Sequence, residues 1–431
     1  RGRRRGFSRT HDRDPQGTAF LAGGIQPPDG DHLEELGGDG AVSWEKKTLD
    51  QLGSVSRGKS KHRPRNDPKL FGGQYPFIQT ADVKNANFYI TEYSDTYNET
   101  GLAQSKLWDV GTLCITIAAN IADTGILAIP ACFPDSIIGF IPYGGISDVR
   151  FVKYCFDMLQ QDCKQISQGT AQDNLSWQKL STIEFPAPPI ETQRRIADIL
   201  SAYDDLIENN RKQIKLLEEA AQRLYKEWFV DLRFPGHEHT KIVDGVPEGW
   251  GIKPLSSIAD VIMGQSPKSE FYNQTGEGLP FHQGVGSYGN RFVKDETYST
   301  AFTRIAESGS ILFSVRAPVG RLNITKNKIV IGRGVAAINH KNGFQSFLFY
   351  MLKERFFKDN LVGNGSIFAS ISKDELLNQQ FMMPCKDTIA QYNKVAQSID
   401  DKIATSDRQI ELLTQARDRL LPKLMGGEVK V

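Results

Sequence analysis

Mostly hydrophobic positions, spaced alternately four and three residues apart, run from Ile196 through Leu200, Tyr203, Ile207, Asn210, Ile214, Leu217, Ala221 and Leu224 to Trp228. That spacing keeps one stripe of an α-helix apolar and is the a/d seam of a coiled coil. A second seam repeats the steps through Tyr392, Ala396, Ile399, Ile403, Ser406, Ile410, Leu413, Arg417, Leu420 and Leu424. Each predicts a rod about 50 Å long at roughly 1.5 Å per residue, and Pro188, Pro189 and Pro384 stop the structure before each one. Both seams turn polar at matching places, Asn210 and Ser406. A buried Asn in such a seam costs stability and specifies register, so the rods are expected to pair antiparallel with Asn210 facing Ser406. The interruption at Arg417 makes the distal rod the less regular of the two.

The seams are the tail of a longer repeat. Trp44, Leu49, Gly58 and Ser60 recur 206 residues on as Trp250, Leu255, Gly264 and Ser266. Pro76, Phe77 and Gln79 recur as Pro280, Phe281 and Gln283, and Gly111 recurs as Gly309. A constant offset of 196 then carries Gly169, Leu175, Ser176, Leu180, Phe185 and Pro188 onto Gly365, Ile371, Ser372, Leu376, Phe381 and Pro384, and Asp204 and Asp205 onto Asp400 and Asp401. Repeats on this scale fix the architecture before any motif does. Before each rod the periodicity is that of short strands, as at 111–120, 309–320 and 328–340, with helices expected at 148–163 and 345–357.

The predicted fold is therefore α+β: two mixed α/β domains separated by two long antiparallel coiled-coil helices, with an internal pseudo-twofold repeat. The expected boundaries are a disordered leader over 1–43, a first domain over 44–190, a central helix over 191–231 and a linker over 232–249. A second domain follows over 250–385, then a distal helix over 386–427 and a tail over 428–431.

Composition narrows the chemistry. The 431 residues carry 52 Lys or Arg against 51 Asp or Glu, so any polyanion must be gripped by local patches rather than by net charge. The longest apolar stretch, 113–121, falls short of the ~20 residues of a membrane span, and the Arg-rich start lacks the apolar core of a secretory signal. Five cysteines without a CxxC pair predict buried thiols in a reducing cytoplasm. No GxxxxGK[ST], HExxH or GxSxG motif occurs, nor an [ND]PP[YF] amino-methyltransferase motif, so a binding protein without catalytic or metal residues is expected. His237, Glu238 and His239 are too close together in a loop to make a zinc site.

The leading basic feature is RGKSKHRPRNDPK at 57–69, a Gly- and Pro-bearing loop suited to clamping phosphates through Arg57, Lys59, Lys61, Arg63 and Arg65. Its duplicate at 264–278 is far less basic but offers Gln265, Ser266 and Lys268. Gln79, His282, Gln283, Tyr288 and Arg291 follow strand-like entries, and Arg316, Arg321 and Arg333 punctuate apolar strands. Gln reads adenine and Arg reads guanine through paired hydrogen bonds, so these residues are the candidate DNA contacts. On the rods, Ile196, Leu200, Tyr203, Ile207, Asn210, Ile214 and Leu217, with Ile399, Ile403, Ser406, Ile410 and Leu413, are the candidate pairing and partner positions.

This layout, with FPAPPIETQRRIADIL at 185–200, VPEGW at 246–250, SVRAPVGRLNIT at 314–325 and NGSIFASISKDEL at 364–376, resembles the DNA-specificity subunits of type I restriction-modification systems over about residues 44–427. The resemblance implies that each globular region is a target recognition domain reading one half of a split site in double-stranded DNA. It also implies that the rods set the spacer and dock two methyltransferase subunits, which restriction subunits join. S-adenosylmethionine, Mg and ATP would then belong to those partners. Two departures stand out: Ile389 replaces the Gln expected from Gln193, and residues 1–43 match nothing in the family, although Arg3, Arg4 and Arg5 there suit nonspecific DNA contact. Two rivals remain open from the residues alone, a coiled-coil scaffold without DNA contact and a drifted fused methyltransferase or nuclease.

Overall fold

The computed structural model describes residues 44–117, 123–166, 177–356 and 370–431. The leader over 1–43 and the repeat-matched Gly169, Leu175, Ser176 and Gly365 lie outside the described residues. Two helices of 40 residues each, Ile190–Phe229 and Lys386–Met425, form the central and distal rods, about 60 Å long at roughly 1.5 Å per residue. They pack antiparallel. Arg417 of the distal rod pairs with Asp204 of the central rod, and the Tyr392 hydroxyl donates to the Ala221 carbonyl at 3.0 Å. The apparent irregularity at Arg417 is thus a specific tie between the rods.

Asn210 and Ser406 lie between those ties, and both are buried. They do not bond to each other. Asn210 Nδ2 donates to the Leu206 carbonyl of its own helix at 3.0 Å, and Ser406 Oγ has no partner. Register is therefore set by the ties on either side and by packing, not by the expected polar lock. The heptad seam also widens at the end of the central rod, where Tyr225 and Phe229, off the seam, are more buried than Leu224 and Trp228. There the rod enters a core with Trp250, Phe347 and Tyr392, so burial comes from three sides rather than one.

The two domains are built alike. In the first, strands Gly53–Arg57, Ile137–Pro142, Leu113–Thr116, Thr124–Leu127 and Tyr89–Ile90 lie in that spatial order. In the second, Ala259–Met263, Val335–His340, Ile311–Ser314 and Leu322–Ile324 repeat the first four places. A second sheet in each domain contains a parallel pair, Phe71–Phe77 with Ala131–Cys132 and Leu279–His282 with Ile329–Ile331. An antiparallel pair, Glu45–Thr48 with Glu184–Ala187 or Gly251–Pro254 with Gln380–Met383, closes each domain beside its rod. The run 328–340, read as one strand-rich stretch, is split by a turn into strands of two different sheets. β-Periodicity is the same in both, so only pairing reveals the change.

Repeat-matched glycines mark the places where geometry forbids a side chain. A Cβ on Gly58 would collide with the carbonyl oxygens of Phe133 and Pro134, and one on Gly264 with those of Gly332 and Val335. Gly111 and Gly309 both take the left-handed conformation, at φ 85° and 80°, which glycine adopts without steric cost.

Helices Val149–Ile166 and Gln345–Phe356 join each domain to the rods. Phe151, Tyr154 and Phe156 are buried in one core with Ile196, Leu200, Leu421 and Leu424. Phe347 and Tyr350 are buried in the other with Tyr225, Ile389 and Tyr392. The first domain thus sits at the start of the central rod and the end of the distal rod, and the second domain at the opposite ends. At the first junction the buried Gln193 side chain accepts from Asp148 N and donates to the carbonyls of Ile146 and Pro188. Its counterpart Ile389 makes the second junction by apolar burial instead.

The segment 232–249 contains a 3-10 turn, His237–His239, in which His237 Nδ1 lies 2.8 Å from the Phe234 carbonyl oxygen. Cys114, Cys132 and Cys155 are buried, but Cys385 is exposed where the distal rod begins, against the expectation of buried thiols, its Sγ 3.0 Å from Thr388 Oγ1. Among the described residues no helix is long and apolar enough to cross a membrane.

Candidate nucleic-acid interface

Each domain presents one edge where its two sheets meet, and most of the candidate DNA contacts collect there. In the second domain, Gln265 N donates to the Ile331 carbonyl at 2.9 Å, Gly334 N to that of Gln283 at 3.0 Å, and Val315 N to that of Gly334 at 3.0 Å. Arg333 N donates to Ser266 Oγ at 3.2 Å. These bonds gather Gln265, Ser266, Gln283, Arg316 and Arg333 around the turn 332–334. Ser266 is half-buried and the other four are exposed. Lys268, two residues beyond Ser266, is exposed as well and lies 3.8 Å from Glu270.

The first domain builds the equivalent edge around residues 133–136. Gly58 N donates to the Ile137 carbonyl at 2.8 Å and Lys59 N to that of Phe133 at 3.0 Å, matching Gly264 and Gln265. Arg57, Lys59 and Lys61 are exposed and have no ion-pair partner among the described residues. Arg63 and Arg65 are also exposed, but both pair with Asp135 of the turn. That carboxylate neutralises part of the patch and pins the loop. Gln79 is exposed, with its Nε2 donating to Asp95 Oδ2 at 2.5 Å.

Four candidates do not belong to this edge. His282 is buried, with Nε2 2.9 Å from Asp295 Oδ1 and Nδ1 2.7 Å from Ser287 Oγ. Burial would raise the Asp295 carboxyl, but hydrogen bonds from His282 and Asn327 outweigh it and hold the group below its ordinary range. This pair closes the base of the loop 283–294. Arg291, near the far end of the loop, is 3% exposed and lies 2.5 Å from Asp400 of the distal rod and 3.7 Å from Glu218 of the central rod. Its guanidinium also stacks on Phe349, 3.7 Å from the ring centroid. Tyr288 has a buried hydroxyl without a partner, and with Arg321 it lines a cleft against Glu218. A loop read from sequence as a DNA reader is therefore a clasp onto the rods.

Sequence reasoning missed the residues that seat the domains. Tyr154 donates to Asp204 Oδ2 at 2.6 Å and Tyr350 to Asp400 Oδ1 at 2.8 Å. The signal was present, because the tyrosines share the 196-residue offset of the aspartates. On the rods, Ile196, Leu200, Ile207 and Ile403 are buried, whereas Tyr203, Ile214, Leu217, Ile399, Ile410 and Leu413 are half-buried.

Residues 41–219 and 247–421 each match the type I restriction modification DNA specificity domain. The chain belongs to that family. The two matched segments coincide with the two repeats, and each takes in one domain and most of its rod. The chain is 34% identical over 265 residues to a putative type I restriction enzyme MjaX specificity subunit of Methanocaldococcus jannaschii, a match spanning 60% of this chain and 62% of that protein. It is 27% identical over 409 residues to the MjaIX specificity subunit of the same organism, spanning 90% and 94%. Among solved structures, the type I restriction-modification S subunit from M. genitalium superposes with a TM-score of 0.53 at 16% identity, over 90% of this chain and 97% of that one. That likeness bears on the fold, which is the α+β pair of domains on antiparallel helices expected for a specificity subunit.

Proposed function

We propose that this specificity subunit reads a bipartite DNA site for a type I restriction-modification complex and performs no chemistry itself. One observation carries the reading: two copies of the same domain sit at opposite ends of one stiff antiparallel spacer. Readers held this way engage half-sites at a set separation, on the order of a helical turn of DNA. The domain edges differ in chemistry, so the two half-sites differ. Arg57, Lys59 and Lys61 suit phosphates, while Gln265, Gln283, Arg316 and Arg333 carry the paired donors and acceptors that distinguish base edges.

The rods also favour two copies of one partner. Ile199 and Leu216 are exposed apolar residues of the central rod, and their repeat equivalents Val395 and Leu412 are exposed on the distal rod. Exposed apolar residues repeated at equivalent positions of the two rods suit two identical docking events. We assign these to the two methyltransferase subunits, with restriction subunits joining the assembly and S-adenosylmethionine, Mg and ATP held by the partners.

Selection of bound sequences from random DNA, using the chain with its methyltransferase subunits, tests the reading. Two fixed half-sites at one spacing are expected, and whole helical turns added to both rods should change the spacing alone. Altered half-sites, or no sequence preference at all, would overturn it.

A further inference from the structure

The two places where the domains dock on the rods are built alike and differ in charge at matched positions. The second domain touches four rod carboxylates. Arg291 meets Asp400 and Glu218, and Lys326 binds both Asp407 and Glu411. Burial opposes the charge on Lys326, yet the two carboxylates outweigh it and hold the ammonium above its ordinary range. At the repeat-equivalent positions beside the first domain stand Asp204, Arg211, Lys215 and Thr414. Four positions that sum to a formal −4 at one end thus sum to +1 at the other. Arg417 adds a further cation there, where the second site has Ala221.

The first domain meets its rod with charges of both signs, Arg150 lying 2.8 Å from Asp198. Glu92 of the first domain lies 3.4 Å from Lys215. The position of Lys326 is taken in the first domain by Ala128. Leu127 and Thr325 each accept a 2.9 Å bond from the turn glycine, Gly111 or Gly309, so the residues that follow them correspond. The cation that compensates the rod aspartate also changes sides. The rod supplies Arg417 to Asp204, whereas the second domain brings Arg291 to Asp400.

We propose that this inversion makes the two domain positions non-interchangeable, each recognition domain carrying the charges that match its own pair of rod faces. The tyrosine–aspartate bond does not discriminate, since both sites offer it. A second domain at the first site would press Lys326 against Arg211 and Lys215 and set Arg291 beside Arg417. A first domain at the second site would set Glu92 against Glu411 and leave Asp400 without a cation. Arg291 and Lys326 are buried and half-buried, and like charges brought together there are an effective bar to the wrong partner, whereas the exposed Glu92 adds little. A recognition domain moved to the other position therefore has to bring its rod residues with it. Docking of this kind is internal to the chain and does not depend on whether the domains read DNA.

The test is charge inversion in the full chain, read by hydrogen exchange without DNA. Glu218→Thr, Asp407→Arg and Glu411→Lys together give the second site the residues of the first at those three positions. Exchange across Leu322–Ile324 and 289–293 should accelerate about tenfold, the scale of coupling between contacting charges, while the first domain keeps its protection. Adding Lys326→Glu should restore most of the protection. Unchanged exchange in the triple variant, or no recovery in the quadruple variant, overturns the proposal. If protection falls in both domains, the triple variant has unfolded, and Lys326→Met alone decides: faster exchange confined to the second domain supports the proposal, and unchanged exchange overturns it.

Discussion

Tyr154 and Tyr350, 196 residues apart in the chain, make the same bond to the same repeat position of their rods, at 2.6 Å to Asp204 and 2.8 Å to Asp400. Burial pushes both phenols far above their ordinary range, so each remains a donor and each carboxylate an acceptor. Burial also raises the Asp204 carboxyl, with Arg417 and Tyr154 opposing. The compensating cation comes from opposite directions at the two ends, and this asymmetry has a measurable consequence.

Arg417→Met removes a tie between the rods and leaves Asp204, 5% exposed, without its cation. Removing one member of a buried pair costs about 3–5 kcal/mol, less here because the Arg417 side chain is 26% exposed. Arg291→Met leaves the Arg417–Asp204 pair intact and removes the second domain's bridge from Asp400 to Glu218. Hydrogen exchange should therefore accelerate along both rods and Val149–Ile166 in the first variant, and along Gln345–Phe356 with the loop 283–294 in the second. Identical patterns from the two variants would contradict the asymmetry.

Ser406 lies at the middle of the paired rods, 0% exposed, with its hydroxyl unpartnered. Leaving such a group buried costs about 1–3 kcal/mol. Ser406→Ala should raise the thermal midpoint, with a gain of about 1 kcal/mol. The register should not move, because Asp204–Arg417 and Tyr392–Ala221 hold it. Crosslinks between engineered cysteines on the two rods would report a slip.

The repeat and the rods were legible because heptads and matched residues need only the chain itself. The domain edges were half legible. Gly58 and Gly264 stood out as matched positions without showing that each sits against backbone carbonyls, and the strand change inside 328–340 left no trace in periodicity. The buried charges were illegible. Arg291 finds Asp400 109 residues away, and an Arg among strands carries no mark of whether it faces water or a carboxylate. His282 is the same case: its partner Asp295 lies across the loop 283–294, whose residues do not mark the pair.

The His282–Asp295 pair gives a pH dependence with a definite sign. The folded Asp295 carboxyl titrates below its ordinary value of 3.8, so the folded state holds the ionised form more tightly than the unfolded chain does. That contribution is complete above pH 3.8 and disappears as the pH falls through the depressed value. Asp295→Asn should lower the thermal midpoint at neutral pH, and the gap from the parent should close on acidification below about pH 4. A gap that stays constant to low pH would show that the charge of Asp295 is not what closes the loop.

Phosphate grip and base reading separate in their response to salt. Lys59→Ala with Lys61→Ala removes two unpaired cations from the first-domain edge, so the slope of log affinity against log salt should fall by about 2, with little change in which sequences are preferred. Arg333→Ala removes the fork that the turn 332–334 carries beside Ser266. A bidentate base contact is worth about 1–3 kcal/mol of discrimination, so preference should relax at one position of one half-site and leave the other half-site and the spacing intact. Filter-binding titrations over a salt series, paired with site selection on the assembled complex, distinguish the two effects. Uniform weakening across all sequences by Arg333→Ala would place that side chain on a phosphate and move base reading to Gln265, Gln283 or Arg316 on the same edge.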